Sequence, residues 1–144
     1  MNGSDYMKPV LEKRFNYKGH PCVVLFMPGA YRCGYVGIPK AHKLAKHGAN
    51  LDSISCHGGI TYSESKLHCC DDEDIWWIGF DCAHFGDGYD IETAKQYFGD
   101  DPGFKMSFSI MKDLWESTNE ECKFQSLKDV QDGCKRIVDQ LERM

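Results

Sequence analysis

The chain has 144 residues, 42 % of them hydrophobic and 12 % aromatic, with a formal charge of −5. That is long enough for one domain around one core and too apolar for a disordered segment. The acidic balance excludes general nucleic-acid binding, which draws its affinity from clustered Lys and Arg.

No apolar run approaches the roughly 20 residues of a membrane span. The first eight residues are polar and carry no signal-peptide core. A protein of the cytoplasm is therefore expected, without a membrane partner. Eight cysteines in a chain of this size, with no C-x-x-C pair and only Cys69 and Cys70 adjacent, read as free thiols rather than a disulfide framework or a structural zinc site.

One domain is expected over 1–144, with residues 1–14 a frayed lead. The first strand signal is at 15–17, and Gly19 leads into the apolar run CVVLFM at 22–27. Pro28 and Gly29 punctuate a turn, and 31–38 returns as a second strand thinned by Gly34 and Gly37, giving an antiparallel hairpin. Pro39 ends it. A short helical connector is expected at 41–47, closed by Gly48. The motif CHGGITY at 56–62 offers a histidine, two glycines and a strand of β-forming residues. Residues 63–74 are polar and end in the acidic run Asp71, Asp72, Glu73 and Asp74, which reads as a solvated loop.

The next stretch, WWIGFDCAHFGDGYD at 76–90, joins a buried strand to a glycine and aspartate loop. A rigid strand carrying a polar loop is where binding and catalytic groups tend to sit. A short helix suits 91–98, and the DDPG break follows. The segment 104–115 alternates like a strand, or begins a helix once 111–115 is included. A short strand is expected at 121–124. From Ser126 on, Asp129 completes a capping pair, and Leu127, Val130, Cys134, Ile137, Val138 and Leu141 recur at helical spacing. Strands in the middle and a helix at the end predict an α+β fold, a mostly antiparallel sheet packed by a C-terminal amphipathic helix.

Three constellations carry the candidate chemistry. His57, Asp81, His84 and Asp87 could surround a divalent cation if the 57–59 turn folds beside the 81–87 loop. The same aspartates could equally shape the loop through bonds to backbone N–H groups. Tyr31, Arg32, Tyr35, Tyr62, Trp76, Trp77 and Phe85 form an aromatic and cationic set suited to a nucleotide-like ligand. Trp76 and Trp77 point to opposite faces of their strand, so one is expected in the core and the other free. His57, Gly58 and Gly59 could expose backbone N–H groups as an anion nest, or form an ordinary tight turn. Cys56 beside His57 and Cys82 near His84 have no visible activating environment for nucleophilic chemistry.

In this order, GYVGIPK at 34–40, HGGITY at 57–62 and WWIGFDCAHFGD at 76–87, after a YKGHPC segment at 17–22, the chain resembles a family of small, largely uncharacterised proteins of bacteriophages and prophages. The resemblance spans about 17–90; beyond it only the polar C-terminal helix corresponds, and the HCC segment at 68–70 departs from the pattern. It implies a setting of interference with host defence. Three functions are therefore carried forward. The first is a non-enzymatic protein, in the host cytoplasm and expected as a homo-oligomer, that sequesters a small anionic, nucleotide-derived immune signal through Tyr31, Arg32, Tyr35, His57, Gly58, Gly59, Tyr62, Trp76 or Trp77, Asp81 and His84, with no cofactor. The second is a metal-dependent hydrolase of such a signal using His57, Asp81, His84 and Asp87. The third is an acidic inhibitor that meets a host defence protein through 71–74.

Overall fold

The computed structural model describes residues 8–70 and 72–144. Residues 1–7 of the expected frayed lead, and Asp71 of the acidic run, lie outside the described residues. Five strands, β1 (Val10–Tyr17), β2 (His20–Met27), β3 (Tyr31–Pro39), β4 (Tyr62–Glu64) and β5 (Ile75–Asp81), form one sheet in the order β1-β2-β3-β5-β4. Every neighbouring pair is antiparallel. Three helices follow, α1 (Ile91–Phe98), α2 (Pro102–Asn119) and α3 (Leu127–Glu142). The α+β architecture with a terminal helix on the sheet is the one expected from the sequence.

The first three strands are a meander. Lys18 and Gly19, both at positive φ (50° and 81°), make the two-residue turn whose twist matches its flanking strands. Strand β1 already pairs with β2 at Val10, so residues 10–14 are ordered rather than frayed. Strand β5 then returns to pair with β3, and the three-residue β4 closes the outer edge.

Alternation divides the sheet into two covered faces. On one, Cys22, Val24, Val36, Ile38, Trp76, Ile78 and Phe80 meet Val130, Cys134, Ile137, Val138 and Leu141 of α3. On the other, Val23, Leu25, Cys33, Tyr35 and Trp77 lie with Leu67 and Cys70 from the loop between β4 and β5. A third cluster joins Phe26 and Ala30 to Ala94 and Phe98 of α1 and to Phe104 and Trp115 of α2.

Helix α3 begins as expected, with Ser126 and Asp129 exchanging side-chain to backbone bonds in a complete capping box. Helix α1 spans the expected 91–98, capped by Asp90. Elsewhere the structure corrects the sequence reading. Residues 104–115 lie inside α2: Asp101 caps its N-terminus, Pro102 opens its first turn and Phe104, Phe108, Met111 and Trp115 return at helical spacing to the core. Residues 41–47 are successive turns, and 121–124 form no strand.

Candidate functional site

The predicted adjacency of the HGG turn and the 81–87 loop is present. The turn is a reversal in which the Gly59 N–H donates to the Cys56 carbonyl at 3.1 Å. Gly58 has φ +71°, and a Cβ there would stand 2.1 Å from His84 Nε2. Only glycine fits, on both conformational and steric grounds. The imidazole of His84 thus rests on the backbone of the turn, and the rings of His57 and His84 are 5.9 Å apart.

The four polar groups resolve into two pairs. His57 Nε2 lies 2.8 and 2.9 Å from the two carboxylate oxygens of Asp87. Asp87 is 8 % exposed and also accepts the His84 backbone N–H at 3.0 Å. An ionised carboxylate only accepts, so Nε2 is the donor in this contact. His84 Nε2 is 3.2 Å from Asp81 Oδ1, but the alignment makes no hydrogen bond and this buried nitrogen has no partner among the described residues. Asp81 itself accepts from Thr61 Oγ1 and from the Ala83 N–H, both at 3.1 Å, the loop-shaping role weighed for it above. Among the described residues no three His, Cys, Asp or Glu side chains are arranged to hold a metal ion.

The proposed single pocket does not assemble from the aromatic set, because the sheet stands between its members. Tyr31, Tyr35, Tyr62 and Trp77 belong to the cluster on one face, while Trp76 lies on the face covered by α3. Both tryptophans are buried, at 7 % and 0 %, so neither is free. Trp76 Nε1 donates to Ser63 Oγ at 3.0 Å, and Tyr35 packs edge to face on Tyr62. Phe85, in contrast, is fully exposed at the loop tip.

Arg32 is withdrawn from any ligand as well. Its guanidinium bonds Glu12 (2.6 Å), Asp90 (2.8 Å) and the Gln125 carbonyl (3.0 Å) and is buried. Two carboxylates more than neutralise it, so an anion would meet net negative charge there. The nest reading loses the Gly59 N–H, which is already bonded within the turn.

What does face His57 is the outer side of α3. Ser55, Cys56, His57, Arg136, Gln140 and Arg143 help to line an open groove of about 550 Å³, within the ordinary size range of small-ligand sites. Gln140 fixes its floor, donating to the Ser55 carbonyl at 2.8 Å and accepting the Ser55 N–H at 2.7 Å. Asp139, also at the groove, is engaged by Lys18 at 2.7 Å. The side chains of Arg136 and Arg143 form no ion pair among the described residues and are exposed. Sequence reasoning missed them: their spacing marks the polar side of an amphipathic helix, and a solvated charged side looks identical.

At the two candidate thiols, Cys56 and Cys82, the surroundings do not favour the thiolate. Burial pushes Cys56 up, against a smaller pull downward from its bond to Gly59 and the charge of Arg136. Burial also pushes Cys82 far up. Both stay protonated near neutrality. Comparison with protein families, with curated proteins and with solved structures finds no match to this chain.

Proposed function

We propose that this chain is a binding protein for a small anionic, phosphate-bearing ligand seated in the groove between the HGG turn and α3. The observation that carries the reading is the placement of two unpaired arginines, Arg136 and Arg143, beside His57 in a chain of charge −5. Guanidinium groups bind phosphate through paired, charge-assisted hydrogen bonds. Asp87 orients His57 as a third polar contact. Among the described residues no Phe, Tyr or Trp lines this groove, so phosphate rather than base stacking supplies most of the affinity. In the phage setting that the GYVGIPK, HGGITY and WWIGFDCAHFGD motifs suggest, the ligand is a nucleotide-derived signal of host defence and the function is its sequestration.

A second reading draws on the His57 and Asp87 pair, whose geometry also suits general acid and base work on a bound phosphate ester. The acidic-inhibitor reading has less to stand on, because Asp72 is paired with Arg14 at 2.9 Å.

One experiment separates these. The protein is incubated with cyclic dinucleotides and ADP-ribose, heat-denatured, and the released nucleotides are identified, with affinities taken by calorimetry. Sequestration returns intact ligand in stoichiometric amount. Replacing Arg136 and Arg143 together by Ala is expected to weaken binding by about a hundredfold or more, since each charge-assisted hydrogen bond contributes roughly 1.5–3 kcal/mol, without loss of helicity. Turnover that persists in EDTA and is lost in His57→Ala supports acid and base catalysis; turnover abolished by EDTA supports a metal-dependent hydrolase. Absence of binding to every nucleotide, or binding indifferent to the double replacement, overturns the proposal.

A further inference from the structure

The HCC segment at 68–70 takes no part in the groove, yet it brings two thiols together. Cys69 Sγ and Cys70 Sγ are 3.1 Å apart. One of the two is anchored. The Cys70 N–H donates to the Leu67 carbonyl at 2.9 Å, closing the turn, and Cys70, 4 % exposed, packs beside Leu67 and Trp77 on the sheet. The other is reachable from solvent: Cys69 is exposed and opens on a hollow of about 350 Å³ that Lys8, Pro9, Leu25 and His68 also line. Cys22 and Cys134 touch as well, but both are wholly buried.

What such a pair can hold follows from its bite. A tetrahedral zinc ion, with Zn–S bonds of about 2.3 Å, needs two sulfurs about 3.8 Å apart and two further ligands. Among the described residues no group of three His, Cys, Asp or Glu side chains supplies them. A linear, two-coordinate soft ion holds its sulfurs on opposite sides, at roughly twice the bond length. A trivalent, pyramidal metalloid bonds at near right angles; with bonds of similar length its sulfurs stand about 3.3 Å apart, a small rotation from the 3.1 Å observed.

The surroundings select the same class. Burial and the neighbouring Cys70 thiol push Cys69 up, against a smaller pull downward from Arg14, so Cys69 keeps its proton near neutrality. Disulfide closure and metal-ion ligation both use the thiolate. Condensation with an arsenic(III) hydroxide uses the thiol: two As–O bonds break, two As–S bonds form, and each thiol proton leaves with a hydroxyl group as water. Oxidation state and net charge do not change. Lys8 and Arg14 beside Cys69 oppose a divalent cation and are indifferent to this neutral species.

We infer that Cys69 and Cys70 form a chelating dithiol site for a trivalent pyramidal metalloid, arsenic(III) being the species that fits, with the hollow beside Cys69 as room for its third substituent. The site lies on the sheet face opposite α3 and is independent of the ligand proposed above.

Titration with arsenite, read by native mass spectrometry, tests it on a chain reduced with a phosphine that is then removed. The wild-type chain is expected to take up one arsenic, and stoichiometric arsenite to protect Cys69 from iodoacetamide. Cys69→Ser, at an exposed position, and Cys70→Ser each leave a single thiol and should weaken uptake by about a hundredfold or more, the gain that a second tethered contact brings. Cys122→Ser, at a half-buried thiol elsewhere, should leave uptake unchanged. Absence of uptake, or uptake that survives Cys69→Ser, overturns the inference. So does zinc bound as tightly as arsenite, or a chain recovered as the 69–70 disulfide once the phosphine is gone.

Discussion

The guanidinium of Arg32 gathers three segments that are distant in sequence, since Glu12, Asp90 and the Gln125 carbonyl all bond to it. It also lies over the Phe26 ring, 4.9 Å from the centroid. Removing it leaves two acidic side chains, 4 % and 9 % exposed, without their counter-charge. Arg32→Ala is therefore expected to cost about 3–5 kcal/mol in urea unfolding, the range for breaking a buried pair by deleting one partner. A loss below about 1 kcal/mol would mean that the cluster is not closed to water. A nearby tyrosine and an arginine on a strand suggested a ligand contact from sequence, and nothing local could reveal partners so far along the chain. His57 with Asp87 was more legible, because a histidine before paired glycines and an aspartate in a glycine-rich loop both carry their composition with them. The arginines of α3 had no such mark.

At the scale of elements, Gly133 decides how closely α3 approaches the sheet. It occupies the middle of the helix, where glycine costs about 1 kcal/mol relative to alanine. A Cβ there would stand 2.8 Å from Phe80 Cζ, and a Cβ at Gly34 would stand 2.7 Å from the same ring. Phe80 is thus received between a glycine of the strand and a glycine of the helix. Gly133→Ala gains helix propensity but forces the ring or the helix to move, an overpacking typically costing about 1–3 kcal/mol. The net expectation is destabilisation, read as a lower urea midpoint; a raised midpoint would show that the helix can lift without loss. Strands β2 and β3, α1 and α3 were legible because each lies between clear caps or turns, whereas most of β1 read as a frayed lead. Helix α2 was not, because apolar residues occupy both of its sides and mask the helical period over any short window. Its one reliable signal was Asp101 before Pro102, which marks a helix start rather than a mere break.

At the scale of the whole molecule, the sheet is covered on two faces, and its thiols are distributed through both. Burial pushes Cys33 up to about 11, and Cys82 on the opposite face is raised by the same cause. A thiol whose folded pKa exceeds its unfolded value, about 8.5, holds its proton more firmly in the folded chain. Its contribution is complete below that pH and is lost as pH rises through the folded pKa, since the unfolded state then binds fewer protons. Melting temperatures under reducing conditions should be level near neutrality and fall progressively between about pH 8.5 and pH 11. A flat profile across that window would contradict the burial of these groups. Division of the aromatic residues between two faces was also beyond the sequence. Alternation assigned each tryptophan to a side, but only the positions of α3 and of the loop between β4 and β5 made both sides interior.

The order of the strands has a kinetic consequence. The meander of β1, β2 and β3 needs only short reversals, whereas β5 reaches β3 across the entire segment 40–74. Closing so long a segment costs roughly 3 kcal/mol of chain entropy before any contact compensates it. Strand β4 pairs with β5 alone and has nothing to align against until β5 has docked, and Gly58 meets His84 only once the loop after β5 is in place. During refolding, amide protons of β2 and β3 should therefore become protected from exchange ahead of those near Thr61 and Gly79, and the groove would be the last part of the protein to acquire its shape.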